Sequence, residues 1–372
     1  MAFKNLLHLL PLMVVAALIL LSDIFSFDAL RHPAAQGCLR LCEAYFERWS
    51  GISAHSAPVG WADGYPMAGA VLRFWVPDAA LALQVISWVS AGLAVWMFER
   101  LLQLWSPGTS PASRWVFAGL GLAMSPFFIK AGLSVLPDAL GLLFFLVALY
   151  VGLRVLESRR HKSAAWVAMW AVLAGVTQWS ASAFLMPFVV AIGWRMMRRQ
   201  QWGWVLAMSG VGVATLGAYC FCSSSALGFD APAWQGWSLG NLFRRSFQSS
   251  PGGLSQHLLP NGLYILAPLA HPGFCLPLSL LFLMGKKTDF HHAAQKILLL
   301  SLVLFALFVG GLPEQEMRYL LPGFTVLLLF LFPAWDRVFA YGFYFFRRLT
   351  FTILLLALAI QVVSSVYLVF SG

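Results

Sequence analysis

Charge is what this sequence has least of: only 10% of its 372 residues are Asp, Glu, Lys or Arg, against about 25% in an ordinary soluble domain. Acids are the rarer sign, 14 against 24 Lys and Arg. With 60% hydrophobic residues and a mean hydropathy of +0.79, a soluble fold could not hide its apolar surface from water. No polar gap between residues 6 and 370 is long enough for a separate soluble domain. Cysteine is sparse as well. Cys38, Cys42, Cys220, Cys222 and Cys275 form neither a disulfide framework nor a metal-ligand spacing backed by histidines. A bridge between Cys38 and Cys42, four apart on one helix, would be strained, so free thiols are expected. A Gly-rich phosphate loop, a Walker signature, an HExxH helix and a CxxC pair are all missing. No A-x-A-like cleavage site follows the first apolar run, Leu6 to Leu21, which reads as a retained span.

What is present is a succession of apolar runs. A hydrocarbon core of about 30 Å needs about 20 residues per helix, which gives about eleven spans. Their limits are 6–22, 79–104, 115–131, 133–154, 164–180, 182–195, 203–222, 259–284, 294–312, 319–335 and 349–370. The expected fold is an all-α polytopic transmembrane bundle, one domain over 1–372, with outer loops at 23–78 and 223–258. Long loops of this kind often carry function. With a cytoplasmic N-terminus, the inner segments hold Lys4, Arg100, Arg114, Arg154, Arg159, Arg160, Lys162, Arg195, Arg198, Arg199, Lys286, Lys287, Lys296, Arg337, Arg347 and Arg348, 16 of the 24 bases. Basic residues in short loops resist translocation, so this bias sets the orientation in the cytoplasmic membrane. The net charge of +10 thus reports topology, and nucleic acid is not an expected partner.

The acids collect on the opposite, outer side: Asp23, Asp28, Glu43, Glu47, Asp63, Asp78, Asp138, Asp230, Glu314 and Glu316. The positive-inside bias does not dictate where acids go, so this asymmetry points to outward-facing chemistry.

Four stretches carry it. In Cys42-Glu43-Ala44-Tyr45-Phe46-Glu47, the two glutamates share a helix face, and like charges there raise a pKa toward general-base use. The same pattern also describes an amphipathic helix lying on headgroups with solvated acids. In Pro137-Asp138-Ala139, Asp138 either caps a helix or is a functional acid at membrane depth. Arg318, in Glu314-Gln315-Glu316-Met317-Arg318-Tyr319-Leu320-Leu321-Pro322, is a cation at an outer helix start, where the dipole disfavours it. Its partner is a phosphate or a neighbouring glutamate. Arg244-Arg245, His257 and Lys130 are weaker candidates for phosphate or headgroup contacts.

In their order these stretches resemble the GT-C superfamily of membrane glycosyltransferases, in particular the group of dolichyl-phosphate-mannose protein mannosyltransferases and their bacterial lipid-linked-sugar relatives. The family's first-loop Asp-Glu pair is matched by Cys42-Glu43, with the first acid replaced. Gly60-Trp61-Ala62-Asp63-Gly64-Tyr65-Pro66 is similar to its Gly-aromatic-x-Asp segment, and Pro137-Asp138-Ala139 with Phe144-Phe145 to its Pro-Asp-Ala corner. Thr177-Gln178-Trp179-Ser180-Ala181 has Gln178 where relatives are basic, and Arg318-Tyr319-Leu320-Leu321-Pro322 resembles the family's Arg-Tyr-Leu-Leu-Pro.

The resemblance implies a polyprenyl-phosphate sugar donor lying in the membrane. The acceptor would be a lipid, glycan or protein reached from outside, and the anomeric carbon would be inverted. One carboxylate takes the acceptor's proton and positive groups stabilise the leaving phosphate. On this reading Glu43 is the first candidate base and Asp28 the second, with Asp138 the third catalytic acid. Asp63, Tyr65, Lys130, Arg244, Arg245, His257, Arg318 and Tyr319 would bind substrate. A divalent cation, Mg²⁺ or Mn²⁺, would be held if Asp28, Glu43 and Asp138 converge. The rival readings are a lipid or sugar transporter and a catalytically silent scaffold of an envelope-polymer assembly.

Overall fold

The computed structural model describes residues 8–24, 28–30, 33–52, 63–158, 163–223, 236–250, 253–271, 273–274, 278, 281, 293–313, 315–340 and a few positions between 352 and 363. Its helices are α1 (Leu10–Ile24), α2 (Pro33–Trp49), α3 (Gly64–Leu72), α4 (Ala79–Trp105), α5 (Pro111–Phe117), α6 (Pro126–Leu133), α7 (Asp138–Ser158), α8 (Ala164–Thr177), α9 (Trp179–Arg198) and α10 (Trp202–Ser223). After them come the short α11 (Asn261–Tyr264) and α12 (Ala267–Ala270), then α13 (Ala293–Gly310) and α14 (Leu321–Ala340). The bundle is all-α apart from a small antiparallel hairpin, β1 (Arg245–Ser250) and β2 (Gly253–Pro260), in the second long loop.

Among the described residues six helices are long and apolar enough to cross a membrane: Ala79–Trp105, Asp138–Leu156, Trp179–Arg198, Trp202–Cys222, Ala293–Gly310 and Met317–Ala340. Two more, Leu10–Asp23 and Ala164–Thr177, are apolar but shorter. The protein is a multi-pass membrane protein, and the expected count of eleven spans is not reproduced. Residues 115–131, read as one span, are broken: α5 runs into a π-helical turn at Ala118–Ala123, and α6 leaves at 73°. The break falls at Ser125-Pro126, because proline has no N–H to continue the ladder and its ring pushes the preceding residue out of the helical region. Ser125 is extended, at φ −70 and ψ 129. The gap is stitched from outside the helix: the Phe127 N–H donates to the Gly273 carbonyl at 3.1 Å. Within 259–284, the described part begins at the end of β2 and continues into the one-turn helices α11 and α12. Most of 349–370 lies outside the described residues.

Successive long helices run in opposite directions, so the start of α7, the end of α8, the start of α9 and the start of α14 share one end of the bundle, where α2 and α3 also pack. The other end carries Arg100, Arg114, Arg154, Arg195, Arg198 and Arg337. There Arg114 donates from Nε to the Glu99 carboxylate at 2.8 Å and from Nη1 to the Thr109 carbonyl at 2.7 Å, with both charged side chains buried. Asp78 caps α4 by accepting from the N–H groups of Ala80 and Leu81 at 2.7 and 3.1 Å.

Candidate functional site

Helix α2 is amphipathic, and its pattern decides which acids reach the site. Ala35, Cys42 and Tyr45 are buried and Cys38 half-buried, spaced three and four apart so that they fall on one face. Arg40, Glu43 and Glu47 are exposed on the other. Glu43, the first candidate base, therefore turns away from the carboxylates below. The cause is local: it directly follows fully buried Cys42, one step of about 100° around the helix. Cys42 is sealed in a core beside Gly69 and Leu83, so an acid at that position would be buried there.

Two carboxylates converge beneath α2. Asp63 is 2% exposed and accepts a hydrogen bond from the Tyr45 hydroxyl at 2.8 Å, while its backbone N–H donates to the Tyr219 hydroxyl of α10 at 3.1 Å. Burial and the neighbouring Asp63 charge push the Tyr45 phenol above its ordinary range. Asp138 is also 2% exposed. Its carboxylate accepts from Gln178 Nε2 at 2.9 Å and faces Arg318 Nη1 at 3.9 Å. Among the described residues no backbone N–H of its own helix is bonded to that carboxylate, so the helix-cap reading of Asp138 gives way to a tertiary one.

Two glycines permit the approach. A Cβ at position 141 would lie 2.5 Å from the Cβ of Gln178, and one at position 64 would lie 2.8 Å from Thr177 Oγ1. Both contacts fall on the α8–α9 junction, so Asp63 and Asp138 are brought up to the same Thr177-Gln178 corner. Cys38 marks the middle: burial pushes its thiol up to about 12, while the charge of Arg318 draws it down and those of Asp138 and Asp63 raise it. The same burial takes Cys42 to about 12, so neither thiol is a nucleophile near neutrality.

Arg318 lies on a 3₁₀ turn, Met317–Leu320, at the mouth of α14. Its Nε pairs with the Glu316 carboxylate, and its guanidinium lies over the Tyr319 ring, 5.4 Å from the centroid. Tyr319 packs edge-on against Trp179 at 4.7 Å. The turn is anchored by the Tyr264 hydroxyl, which donates to the Glu316 carbonyl. Four side chains cap the nearby end of α13. Trp237 donates to the Phe308 carbonyl at 2.8 Å, Asn241 to Gly311 at 2.8 Å, and Asn261 and Gln315 both to Leu312 at 3.1 Å.

Asp28 is exposed, with one carboxylate oxygen accepting from the Leu30 N–H at 3.0 Å. The next residue, Ala29, accepts from the Val135 N–H at 3.1 Å, which docks this segment on the corner that leads into Asp138. Lys130 is exposed on α6, which packs against the Met317–Leu320 turn. Arg244 is exposed at the foot of the hairpin. Arg245 and His257 follow on its strands, and their side chains lie outside the described residues, as does Glu314. Tyr65 is not at the site. Its hydroxyl donates to the Leu83 carbonyl at 2.9 Å and bonds Ser87 Oγ at 2.8 Å inside the core, at 0% exposure. The expected meeting of Asp28, Glu43 and Asp138 does not occur, because Glu43 faces outward. Among the described residues no group of three His, Cys, Asp or Glu side chains could hold a metal ion.

Tyr45 and Tyr219 are not assigned a role by sequence reasoning, whereas the pairing of Arg318 with a neighbouring glutamate is one of its two readings and is seen here with Glu316.

Two solved structures share this architecture. ArnT from Cupriavidus metallidurans bound to undecaprenyl phosphate matches with a TM-score of 0.61 and 14% identity, over 89% of this chain and 61% of that one. The same protein in the apo state gives 0.59 and 15%, over 89% and 60%. No protein-family model matches the chain, and no curated protein does. This chain has a GT-C-like fold and spans about three fifths of the length of the structures it matches.

Proposed function

We propose that this GT-C-like membrane protein is a glycosyltransferase that moves a sugar from a polyprenyl-phosphate donor to an acceptor on the non-cytoplasmic side, with inversion. The observation that carries the reading is the Asp138–Gln178–Arg318 cluster, buried at one end of an apolar bundle and open through the partly exposed Arg318. The undecaprenyl phosphate bound in the similar solved structure supports the donor class. A guanidinium in a place of low polarity is suited to a phosphate, which it can meet with two parallel hydrogen bonds. The sugar-phosphate bond breaks with its electrons on phosphate, already an anion, so no acid is needed for the leaving group. One base for the acceptor hydroxyl suffices.

Asp28 is assigned as that base. Asp138 has its charge committed to Arg318 and Gln178, and Asp63 accepts from Tyr45, whereas Asp28 is exposed and fixed on the corner next to Asp138. Tyr319 and Lys130 flank the phosphate end, and Asp63 orients substrate. No step is routed through a cation, since the residues meant to hold one do not meet. The basic end of the bundle faces the cytoplasm on this reading.

The test is sugar transfer from a polyprenyl-phosphate-linked donor by the purified chain and its variants. Asp28→Asn, Asp138→Asn and Arg318→Gln should each lower turnover at least a hundredfold, in the range removal of a general base or of a charge-stabilising group gives. Glu43→Gln should leave it within about threefold. Full activity in all of the first three overturns the assignment.

A further inference from the structure

The charges around Arg318 do not suit the ligand assigned to it. Asp63, Asp138 and Glu316 bring three carboxylates to this end of the bundle, and Arg318 brings one guanidinium. The side chain of Arg318 is 21% exposed and that of Glu316 16%, while that of Asp138 is 3%. Of the two acids on the guanidinium, Asp138 is the sealed and distant one, at 3.9 Å and held from behind by Gln178. Glu316 holds the closer contact, through Nε, and lies on the more open side. An incoming phosphate adds negative charge beside these carboxylates, with Lys130 of the adjoining α6 the other cation the site offers among the described residues. To meet the edge of the guanidinium that carries Nε with two parallel hydrogen bonds, the phosphate must displace the Glu316 carboxylate.

We propose that Glu316 is a gate: its carboxylate occupies the phosphate seat on Arg318 when no lipid is bound and swings out when the polyprenyl phosphate enters. This rests on the donor reading above and deepens it. The geometry favours displacement of Glu316 over Asp138. The Glu316 backbone is pinned independently of its side chain, since its carbonyl accepts from the Tyr264 hydroxyl and from the Tyr319 N–H at 3.0 Å. The side chain can therefore rotate toward solvent without dismantling the turn that carries Arg318. Asp138 has no such exit, because it is enclosed by α8, α9 and the turn. The gate keeps Arg318 neutralised in the empty protein, where an unpaired guanidinium in a semi-apolar cleft would be costly. It also raises the threshold for weak anions, since only a ligand bringing both phosphate charge and apolar tail contacts repays the lost ion pair.

The experiment measures undecaprenyl phosphate binding to the full chain in detergent micelles, at fixed pH and ionic strength. Removing the competing carboxylate in Glu316→Gln should tighten binding about tenfold, the equivalent of one lost ion pair of about 1.4 kcal/mol, and Glu316→Ala should do the same if Gln is not tolerated. Inorganic phosphate, which has no tail, should bind the wild type hardly at all and the variants measurably. Unchanged or weaker lipid binding in both variants overturns the gate. Arg318→Gln separates the two ideas. If it abolishes lipid binding while neither Glu316 variant tightens it, the donor site stands and the gate falls. If Arg318→Gln binds lipid like the wild type, or no form binds it, the donor reading fails and takes the gate with it.

Discussion

Gln178 donates to Asp138 across the α8–α9 junction at 2.9 Å, and that bond is the only one the Gln178 side chain makes among the described residues. Its own Oε1 is buried without a partner, packed against the space Gly141 leaves. A glutamine that tolerates an orphaned oxygen is held there by the acid.

The first prediction follows. Gln178→Leu removes the one hydrogen bond that supports Asp138 from behind, and a hydrogen bond to a charged group contributes about 1.5–3 kcal/mol. Detergent-solubilised protein should lose roughly that much stability in a chemical unfolding titration, and Gln178→Glu, which faces one carboxylate with another, should lose more. Equal stability of Gln178→Leu and wild type would show that the bond does not hold the cluster together.

Gly141 gives a second, purely steric prediction. Any Cβ at this position would sit 2.5 Å from the Gln178 Cβ, with that residue's backbone fixed at a helix junction. Gly141→Ala should cost about 1–3 kcal/mol through overpacking and should also weaken lipid-phosphate binding, because α7 and Asp138 are pushed off Gln178. Gly217 is the control. It has nothing within 4 Å of a built Cβ, so Gly217→Ala should be neutral or slightly stabilising. If the two substitutions have indistinguishable effects on unfolding, the close approach at Gly141 is not real.

Much of this was legible in the sequence, and the exceptions have physical causes. Apolar runs and the segregation of bases and acids give a membrane bundle with chemistry at one end. They do so because hydrophobicity and charge act over whole segments. Pro137-Asp138-Ala139 and Arg318-Tyr319 stand out for the same reason, as charges where an apolar run should exclude them. Glu43 was misplaced because two glutamates four apart define a shared face without saying whether it points in or out. That depends on Cys42 and Tyr45, whose burial is a tertiary fact. Tyr65 reads as functional near Asp63, yet residues two apart at a helix start point in nearly opposite directions, and its hydroxyl meets Leu83 and Ser87 instead. The break at Ser125-Pro126 was written in the proline but hidden by the apolar run on either side.

The thiols of α2 yield a prediction in pH. Burial lifts Cys42 from an ordinary 9.0 to about 12. A group whose proton is held more tightly in the folded state contributes stability that is complete below its unfolded pKa and is lost as pH rises through the folded one. The window is therefore pH 9 to 12. Wild-type stability should fall across it more steeply than that of Cys42→Ala, each compared with its own value at pH 8. Labelling gives a second readout: membrane-permeant N-ethylmaleimide at pH 7.5 should modify exposed Cys222 and spare buried Cys42. Equal labelling of the two would contradict the buried face of α2.

The last prediction lies at the other end of the bundle, far from the proposed chemistry. Glu99 and Arg114 are 3% and 6% exposed and joined at 2.8 Å, with Arg114 also holding the Thr109 carbonyl of the connecting loop. Two charges taken out of water gain little net stability from each other, because desolvation offsets their attraction, but removing one strands the other. Glu99→Gln or Arg114→Met alone should cost about 3–5 kcal/mol, on the scale measured when buried pairs are broken. The double replacement Glu99→Met with Arg114→Met should recover most of that loss, since an apolar pair there leaves no charge behind. The Thr109 carbonyl sets the limit on recovery, as it loses its donor whenever Arg114 is replaced. A double-mutant cycle on unfolding free energy separates these contributions. Losses that simply add would mean the two side chains do not interact in the folded protein.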